Sequence, residues 1–274
     1  MTLQKSAENK KAKPKRRNLH LVHRIDKRNT GDMVCNSGNY YKFTGFNVIK
    51  HDISRPNFQK IRKNDVVILS GGGLINCTNG WNKNINRLLN KCKNVFGWGI
   101  GFNAHPGQVH PTKIQFNKFK ILGIRDYFPN YDSNIEYLPC SSCNLKQLNS
   151  KYKIKRKVGI VEHHHFKIGL NGYDKINNSQ NINKIIRFIG ESDVVITNTY
   201  HCLYFSLLLN KKVILHSSFS EKFNNLKQKF VWYSGDLTKD IELASKMDYS
   251  GYKTECKKIN NAFYNKIKKS IRQN

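Results

Sequence analysis

No apolar run in this sequence approaches the roughly 20 residues that a membrane-spanning helix needs. The longest, DVVILSGGGLI and CLYFSLLLN, are short and bounded by polar residues, which excludes an integral helical membrane protein. The opening MTLQKSAENKKAKPKRRNLH lacks the apolar stretch of a secretory signal, so a cytoplasmic location is expected. Cysteines are seven, an odd number, at positions 35, 77, 92, 140, 143, 202 and 256. That spacing carries no disulfide framework, and reduced thiols are expected. Only Cys140 and Cys143, in YLPCSSC, form a CxxC. A structural zinc site needs four ligands and no second such pair exists, so the pair reads as two thiols on a loop, with no metal expected. No internal repeat of solenoid length is visible.

Negative charge is scarce: 18 Asp+Glu stand against 48 Lys+Arg, a formal net charge of +30. The excess is mostly lysine and is spread along the whole chain, without the aromatic–basic clusters of a nucleic-acid surface. Specific nucleic-acid binding is therefore not expected. Attraction to phosphorylated substrates, to anionic polysaccharide and, peripherally, to an acidic membrane surface all follow from the same field. The hydrophobic fraction of 38% and aromatic fraction of 11% suit a folded protein rather than a disordered one.

Residues 1–17 read as a disordered basic tail. From Asn18 short apolar runs alternate with helical stretches: NLHLVHR, FNVIKHDI, DVVILSGGG, NVFGWGIGF, FKILGIRDY and IEYLPC as strands, with WNKNINRLLNKCK as a helix. After a polar stretch the rhythm resumes with KVGIVEHHH, NINKIIRFIGES, DVVITNT, HCLYFSLLLN and KKVILHS. Continuous apolar strands alternating with helices predict parallel sheets covered on both faces. The expected fold is α/β, with two Rossmann-like doubly wound domains, 18–150 and 151–274, facing a cleft. The Lys-rich helical segment near 250–272 is expected to pack back across the first domain.

In such sheets ligands bind beyond the carboxyl ends of the strands, and four strand exits carry unusual chemistry. Gly71, Gly72 and Gly73 follow VVILS; they suit either a tight turn or backbone N–H groups presented to an anion, and match neither GxGxxG nor a P-loop. Arg125 and Asp126 end GIRD, where the arginine can clamp phosphate or carboxylate. His163 and His165 in VEHHHF would share one face of a continued strand and are candidates for polar substrate contact, with a metal site alongside Glu162 not preferred. Finally, VVITNTYHCLYFS runs from a strand into a helix. Asn198 and Thr199 can cap that helix, and His201 in its first turn would be held neutral by the helix dipole, ready to accept or donate a proton near basic residues such as Lys222.

The ordered pieces RNTGDMVCNSGNYY, VVILSGGGLI, VFGWGIGF, ILGIRDYF, YLPCSSC, VGIVEHHH, SDVVITNTYHCLYFSLLLNKKVIL and SSFSEKFNNL resemble the polysaccharide pyruvyl transferase family over about residues 25–230. The resemblance implies a fold like the two-domain glycosyltransferases of type B. It implies transfer of pyruvate from phosphoenolpyruvate onto two hydroxyls of a glycan or polysaccharide, forming a cyclic ketal, with no cofactor. On that basis His201 and Asp126 are the expected catalytic residues. Arg125, Lys222, Gly71, Gly72, Gly73, Asn198, Thr199, His163 and His165 are the expected substrate contacts. The chain departs from the family where Thr199 replaces the arginine of a Thr-Arg-x-His pattern and where Pro139-Cys140 replaces Pro-Asp. The alternative reading is a glycosyltransferase using a nucleotide-sugar donor, for which Glu221 is the sole carboxylate near SSFSEKF.

Overall fold

The computed structural model describes residues 17–217 and 219–272. The basic tail lies outside the described residues except for Arg17, which opens the first strand. Six parallel strands form one sheet: β1 (Arg17–His23), β2 (Phe46–Asp52), β3 (Val66–Ser70), β4 (Asn94–Ile100), β5 (Ile121–Ile124) and β6 (Ile135–Tyr137). Five more, also parallel, form a second: β7 (Arg156–Glu162), β8 (Asp174–Asn177), β9 (Ser192–Thr197), β10 (Lys212–Leu215) and β11 (Val231–Trp232). The helices are α1 (Thr30–Val34), α2 (Asn79–Lys91), α3 (Ile182–Gly190), α4 (Tyr200–Leu208), α5 (Leu237–Ser245) and α6 (Tyr252–Arg272). Two parallel α/β sheets of Rossmann-like character are therefore present.

The sheets share one winding. The first runs β2-β1-β3-β4-β5-β6 and the second β11-β10-β9-β7-β8. In each, the second strand lies outside the first, and the chain then crosses to build on the other side. The order reverses between β1 and β3 and again between β7 and β9, the two places where such sheets open a crevice beyond their strand ends.

Sequence explains the layering. Every residue of β3 and β4 is buried, as apolar runs covered on both faces require. Beneath Gly99, at φ +60°, the pairing of β4 with β5 shifts register between Trp98 and Ile100. This is a bulge that a side chain at that φ would strain. Ile85, Leu88 and Leu89 bury one side of α2, which starts where the Thr78 hydroxyl accepts the Trp81 N–H at 3.1 Å. Helix α6 lies across the first sheet, where Phe263, Ile267 and Ile271 join Leu19, Leu21, Ile68, Phe96 and Trp98 in one core. Trp98 Nε1 donates to Asn260 Oδ1 at 2.8 Å and fixes that crossing.

Nine consecutive residues of α4 are buried, because the helix is covered on one side by its own sheet and α3 and on the other by α1, the Cys140–Cys143 turn and α6. Val34, Cys35, Cys140 and Cys143 from the first half share its core with Leu203, Tyr204 and Leu207. Polar bonds fix the same junction. The Thr30 N–H donates to Asn178 O at 3.1 Å, Thr30 Oγ1 to Gln180 O at 2.6 Å, and the Glu221 N–H to Ala104 O at 3.0 Å.

Candidate active site

A cavity of about 320 Å³ opens where the two sets of strand ends meet. It is at the small end of the roughly 300–1,000 Å³ typical of ligand pockets. Its walls come from the exits of β1, β3, β4, β5, β7, β9 and β10, so both switch points contribute.

Arg125, just past β5, is the cleft's central cation. It is 3% exposed, and its guanidinium carbon lies 3.6 Å from the centroid of the Tyr200 ring. That stacking offsets part of the desolvation of the charge. Arg125 Nε is buried without a hydrogen-bond partner, and among the described residues Arg125 has no ion pair. Gly73 leaves room beside Asn103 and Arg125: a Cβ there would lie 2.6 Å from Asn103 and 3.0 Å from the guanidinium.

Lys222 approaches from the β10 exit, its ammonium 4.0 Å from the centroid of Phe219. Burial, then the neighbouring Arg125 charge, lowers its pKa to about 7, against the pull of Asp32. Asp32, on α1, lines the same cavity. Burial raises its carboxyl to about 7 despite the opposing Lys222 charge. A carboxyl and an ammonium that both titrate near neutrality in one cleft are suited to moving protons.

His201 stands in the first turn of α4, where the Thr199 hydroxyl accepts the Cys202 N–H at 3.3 Å. Burial first, then Arg125 and Lys222, lowers the imidazole to about 3. The ring is therefore neutral in the empty cleft, with burial rather than the helix terminus as the leading cause. Its Nε2 faces the Cys140 thiol at 3.7 Å. Gly31 of α1 packs on its other edge: a Cβ there would fall 2.3 Å from Nδ1.

The expected site residues fall into two groups. Arg125, Lys222, His201, Thr199, Gly73 and His163 line the cavity together. Gly71 and Gly72 do not. The Gly71 N–H already donates to Trp98 O at 2.8 Å, and a Cβ on Gly71 would lie 2.2 Å from Cys35 O. These two glycines, with φ of +65° and +81°, form a close-packed turn rather than an anion cradle. Asp126 also lies outside the lining. It is 2% exposed, and its Oδ2 accepts the Phe102 N–H at 3.0 Å, so it holds the β4 exit instead of facing a substrate. Asn198 is fully buried. It accepts the His163 N–H at 2.7 Å and donates to Phe166 O at 2.8 Å, shaping the loop after β7. That loop is why the two histidines do not share a face. β7 ends at Glu162, the backbone turns, and His165 is exposed and outside the cavity.

Sequence reasoning passed over Arg24, Asp26, Asp32, Asn103 and Tyr200. Arg24 and Asp26 stand at the exit of β1, where the strand-exit argument applies, whereas Asp32 lies farther on, within α1, and carries no such signal. Arg24 is ion-paired with Asp52 at 3.0 Å and Asp26 at 3.4 Å, so its charge is partly spoken for. Cys140 and Cys143 are buried free thiols. Among the described residues, no cluster of three or more His, Cys, Asp or Glu could hold a metal ion, and no helix is long and apolar enough to cross a membrane.

The family model for polysaccharide pyruvyl transferase matches residues 6–217, a span that holds Asp32, Arg125 and His201 and ends short of Lys222. No curated protein matches the chain. A solved structure of an uncharacterized protein from Klebsiella pneumoniae subsp. pneumoniae NTUH-K2044 is similar at a TM-score of 0.54 and 16% identity, over 79% of this chain and 93% of that one. At that identity the likeness concerns the fold alone.

Proposed function

The chain belongs to the polysaccharide pyruvyl transferase family, and from that premise we propose that its cleft takes phosphoenolpyruvate and passes the pyruvyl group to two hydroxyls of a glycan as a ketal. We read the sheets as two domains, 18–150 and 151–274, opposed as in type B glycosyltransferases. The observation that carries the reading is the pair Arg125 and Lys222, neither ion-paired among the described residues, converging on a cavity with Arg125 Nε unsatisfied. A buried guanidinium with no ion pair is costly unless a ligand supplies a counter-ion, and the half-buried Lys222 is only partly balanced by Asp32. Phosphoenolpyruvate brings a carboxylate and a phosphate on three carbons.

In this reading Arg125 clamps one anionic group in bidentate fashion and Lys222 neutralises the other. A proton is added to the methylene carbon, a sugar hydroxyl attacks C2, and phosphate leaves. The second hydroxyl then closes the ketal. Of the two hydroxyl protons, one ends on the new methyl group and the other on phosphate. Asp32, ionised in part at neutral pH, is placed to take a hydroxyl proton. His201 is the candidate proton donor. Burial is the leading cause of its lowered pKa, and the Arg125 and Lys222 charges add to it; substrate anions that offset those two charges relieve that smaller part of the depression. His163 and Thr199 add polar contacts.

The nucleotide-sugar alternative draws less support. Glu221, the carboxylate it would use, is exposed and outside the cavity lining. The test is to incubate the protein with phosphoenolpyruvate and galactosyl or mannosyl acceptors and follow phosphate release. Tight nucleotide-sugar binding without phosphate release would replace this reading, and full turnover in His201→Ala would remove the histidine from it.

A further inference from the structure

The mouth of the cleft carries a group of rings that anion binding does not require. Phe219 lies near-parallel to Phe166, with centroids 4.4 Å apart and planes at 19°, and near-parallel to His105 at 6.2 Å and 12°. His163 tilts against Phe219 at 5.1 Å. All four line the cavity, yet Phe166 is 48% exposed. A phenyl ring left half in water at a pocket mouth differs from an isolated surface apolar residue, because it continues an apolar surface that runs into the site.

The rings are held in place from both sheets. Asn198, fully buried, fixes the loop of His163 and Phe166 through its two amide bonds. His105 Nδ1 lies 3.0 Å from Phe219 O. The platform is therefore built by the exits of β4, β7 and β10 together, and its position relative to Arg125 and His201 is set by the fold.

Resting on the pyruvyl-transfer reading, we propose that this platform is the acceptor subsite, stacking one C–H face of a pyranose ring on Phe166 so that two hydroxyls of that ring point inward to the cations and the imidazole. A pyranose has polar edges and faces that carry C–H bonds. Those slightly positive hydrogens are attracted to the negative face of an aromatic ring, while the hydroxyl edge stays free for directed bonds. Asn103 lines the same cavity, and its Oδ1 is buried without a hydrogen-bond partner among the described residues. It offers an acceptor for one of the hydroxyls that does not react. The Lys222 ammonium over Phe219 joins the platform to the donor end, so stacking and anion binding share one residue.

The test uses the full chain and its Phe166→Ala and Phe166→Tyr variants. The probes are methyl β-D-galactopyranoside, methyl α-D-mannopyranoside and methyl β-D-glucopyranoside, with uridine as the rival stacking ligand. Saturation-transfer NMR should mark ring C–H protons of at least one glycoside. Its Kd should rise about tenfold in Phe166→Ala, as loss of an aromatic stack implies, and return in Phe166→Tyr. Thermal stabilisation by phosphoenolpyruvate should be the same in all three proteins. Equal glycoside affinity in Phe166→Ala, marking of the uridine base in preference to the sugars, or no marking of any glycoside each overturns the proposal. If glycosides stack as described but phosphoenolpyruvate fails to stabilise the parent protein, the platform stands and the pyruvyl reading falls.

Discussion

If Arg125 clamps the substrate as proposed, it is a residue at which folding and function are set against each other. Replacing it by methionine keeps much of the side-chain volume, removes the charge, and should move ligand affinity and empty-state stability in opposite directions. Charge-assisted hydrogen bonds contribute about 1.5–3 kcal/mol each. Losing a two-bond clamp on phosphoenolpyruvate should therefore cost about 3–6 kcal/mol, or roughly 100- to 10,000-fold in Kd. For the empty protein, the variant loses the cation–π contact with Tyr200, worth about 1–2 kcal/mol when desolvated. It also relieves a buried guanidinium with an unsatisfied Nε, whose effective desolvation penalty is several kcal/mol. It lifts, too, the Arg125 charge that helps depress Lys222. The balance favours the variant by about 1 kcal/mol, and a chain of this size should melt about 2–4 °C higher. Differential scanning calorimetry without ligand and isothermal titration with phosphoenolpyruvate read the two effects separately. A variant that binds phosphoenolpyruvate as tightly as the parent refutes the assignment of Arg125 as the clamp. One that binds weakly and also melts lower shows that the guanidinium is structural in the empty cleft.

Phosphoenolpyruvate affinity should fall as pH rises through about 7, because Lys222 loses its proton there while Asp32 becomes fully anionic; Asp32→Asn should remove the Asp32 part of that fall in a titration from pH 6 to 8.5, and a flat parent profile would contradict both assignments. Gly31→Ala should push the imidazole of His201 aside, since its Cβ would stand 2.3 Å from Nδ1; phosphate release should drop by at least tenfold, the scale at which misplaced catalytic groups act, and unchanged turnover would show that this contact does not position the ring. A third expectation concerns stability far from the cleft. The Asn57 N–H donates to His51 Nδ1 at 3.3 Å, so His51 Nε2 must be the donor toward His20 Nδ1 at 2.9 Å, leaving His20 Nε2 to donate to Asp65 at 3.1 Å. Burial, first of all causes, lowers His51 to about 4 from 6.5. Because the unfolded chain takes up this proton first, the stability present above pH 6.5 is lost as pH falls toward 4. His51→Asn should flatten part of the pH dependence of Tm across that window, and an unaltered slope would contradict the arrangement.

The strands of both sheets were readable because parallel strands covered on two faces must be apolar at nearly every position, and VVILS, NVFGWGI and VVIT are. What escaped had weak local signals. β8, Asp174–Asn177, is a polar edge strand, and β11 is two residues long; both exist through pairing with β7 and β10 rather than through any pattern of their own. The five residues of α1 have no apolar periodicity, and they are held by bonds to the far loop at Asn178 and Gln180. By contrast, α5 was legible and missed. Leu237, Ile241 and Ala244 have helical spacing, and Asp236 accepts the Lys239 N–H as a cap.

The cleft residues followed a different logic. Reading strand exits pointed to His201 and Arg125, which both line the cavity, because parallel winding sends strand exits to one side of the sheet, a consequence of topology that sequence order already contains. It failed at Gly71, Asp126 and Asn198 because a strand exit is also where backbone donors and acceptors run out of ladder partners. At such a place a glycine or a short polar side chain has two possible employments: facing the ligand or satisfying its own turn. Asp126 satisfies the Phe102 N–H, and Asn198 satisfies both ends of the His163–Phe166 loop. Arg125 and Lys222 have no such local duty, since their long side chains reach past the turn into the cavity. For exits of this kind, a long cation that the fold leaves without an ion pair is thus better evidence of a site than a short polar residue, even where a carboxylate adjoins it in sequence, as Asp126 and Glu221 adjoin Arg125 and Lys222. The same criterion separates Arg24, which is tied to Asp26 and Asp52, from Arg125, which is not.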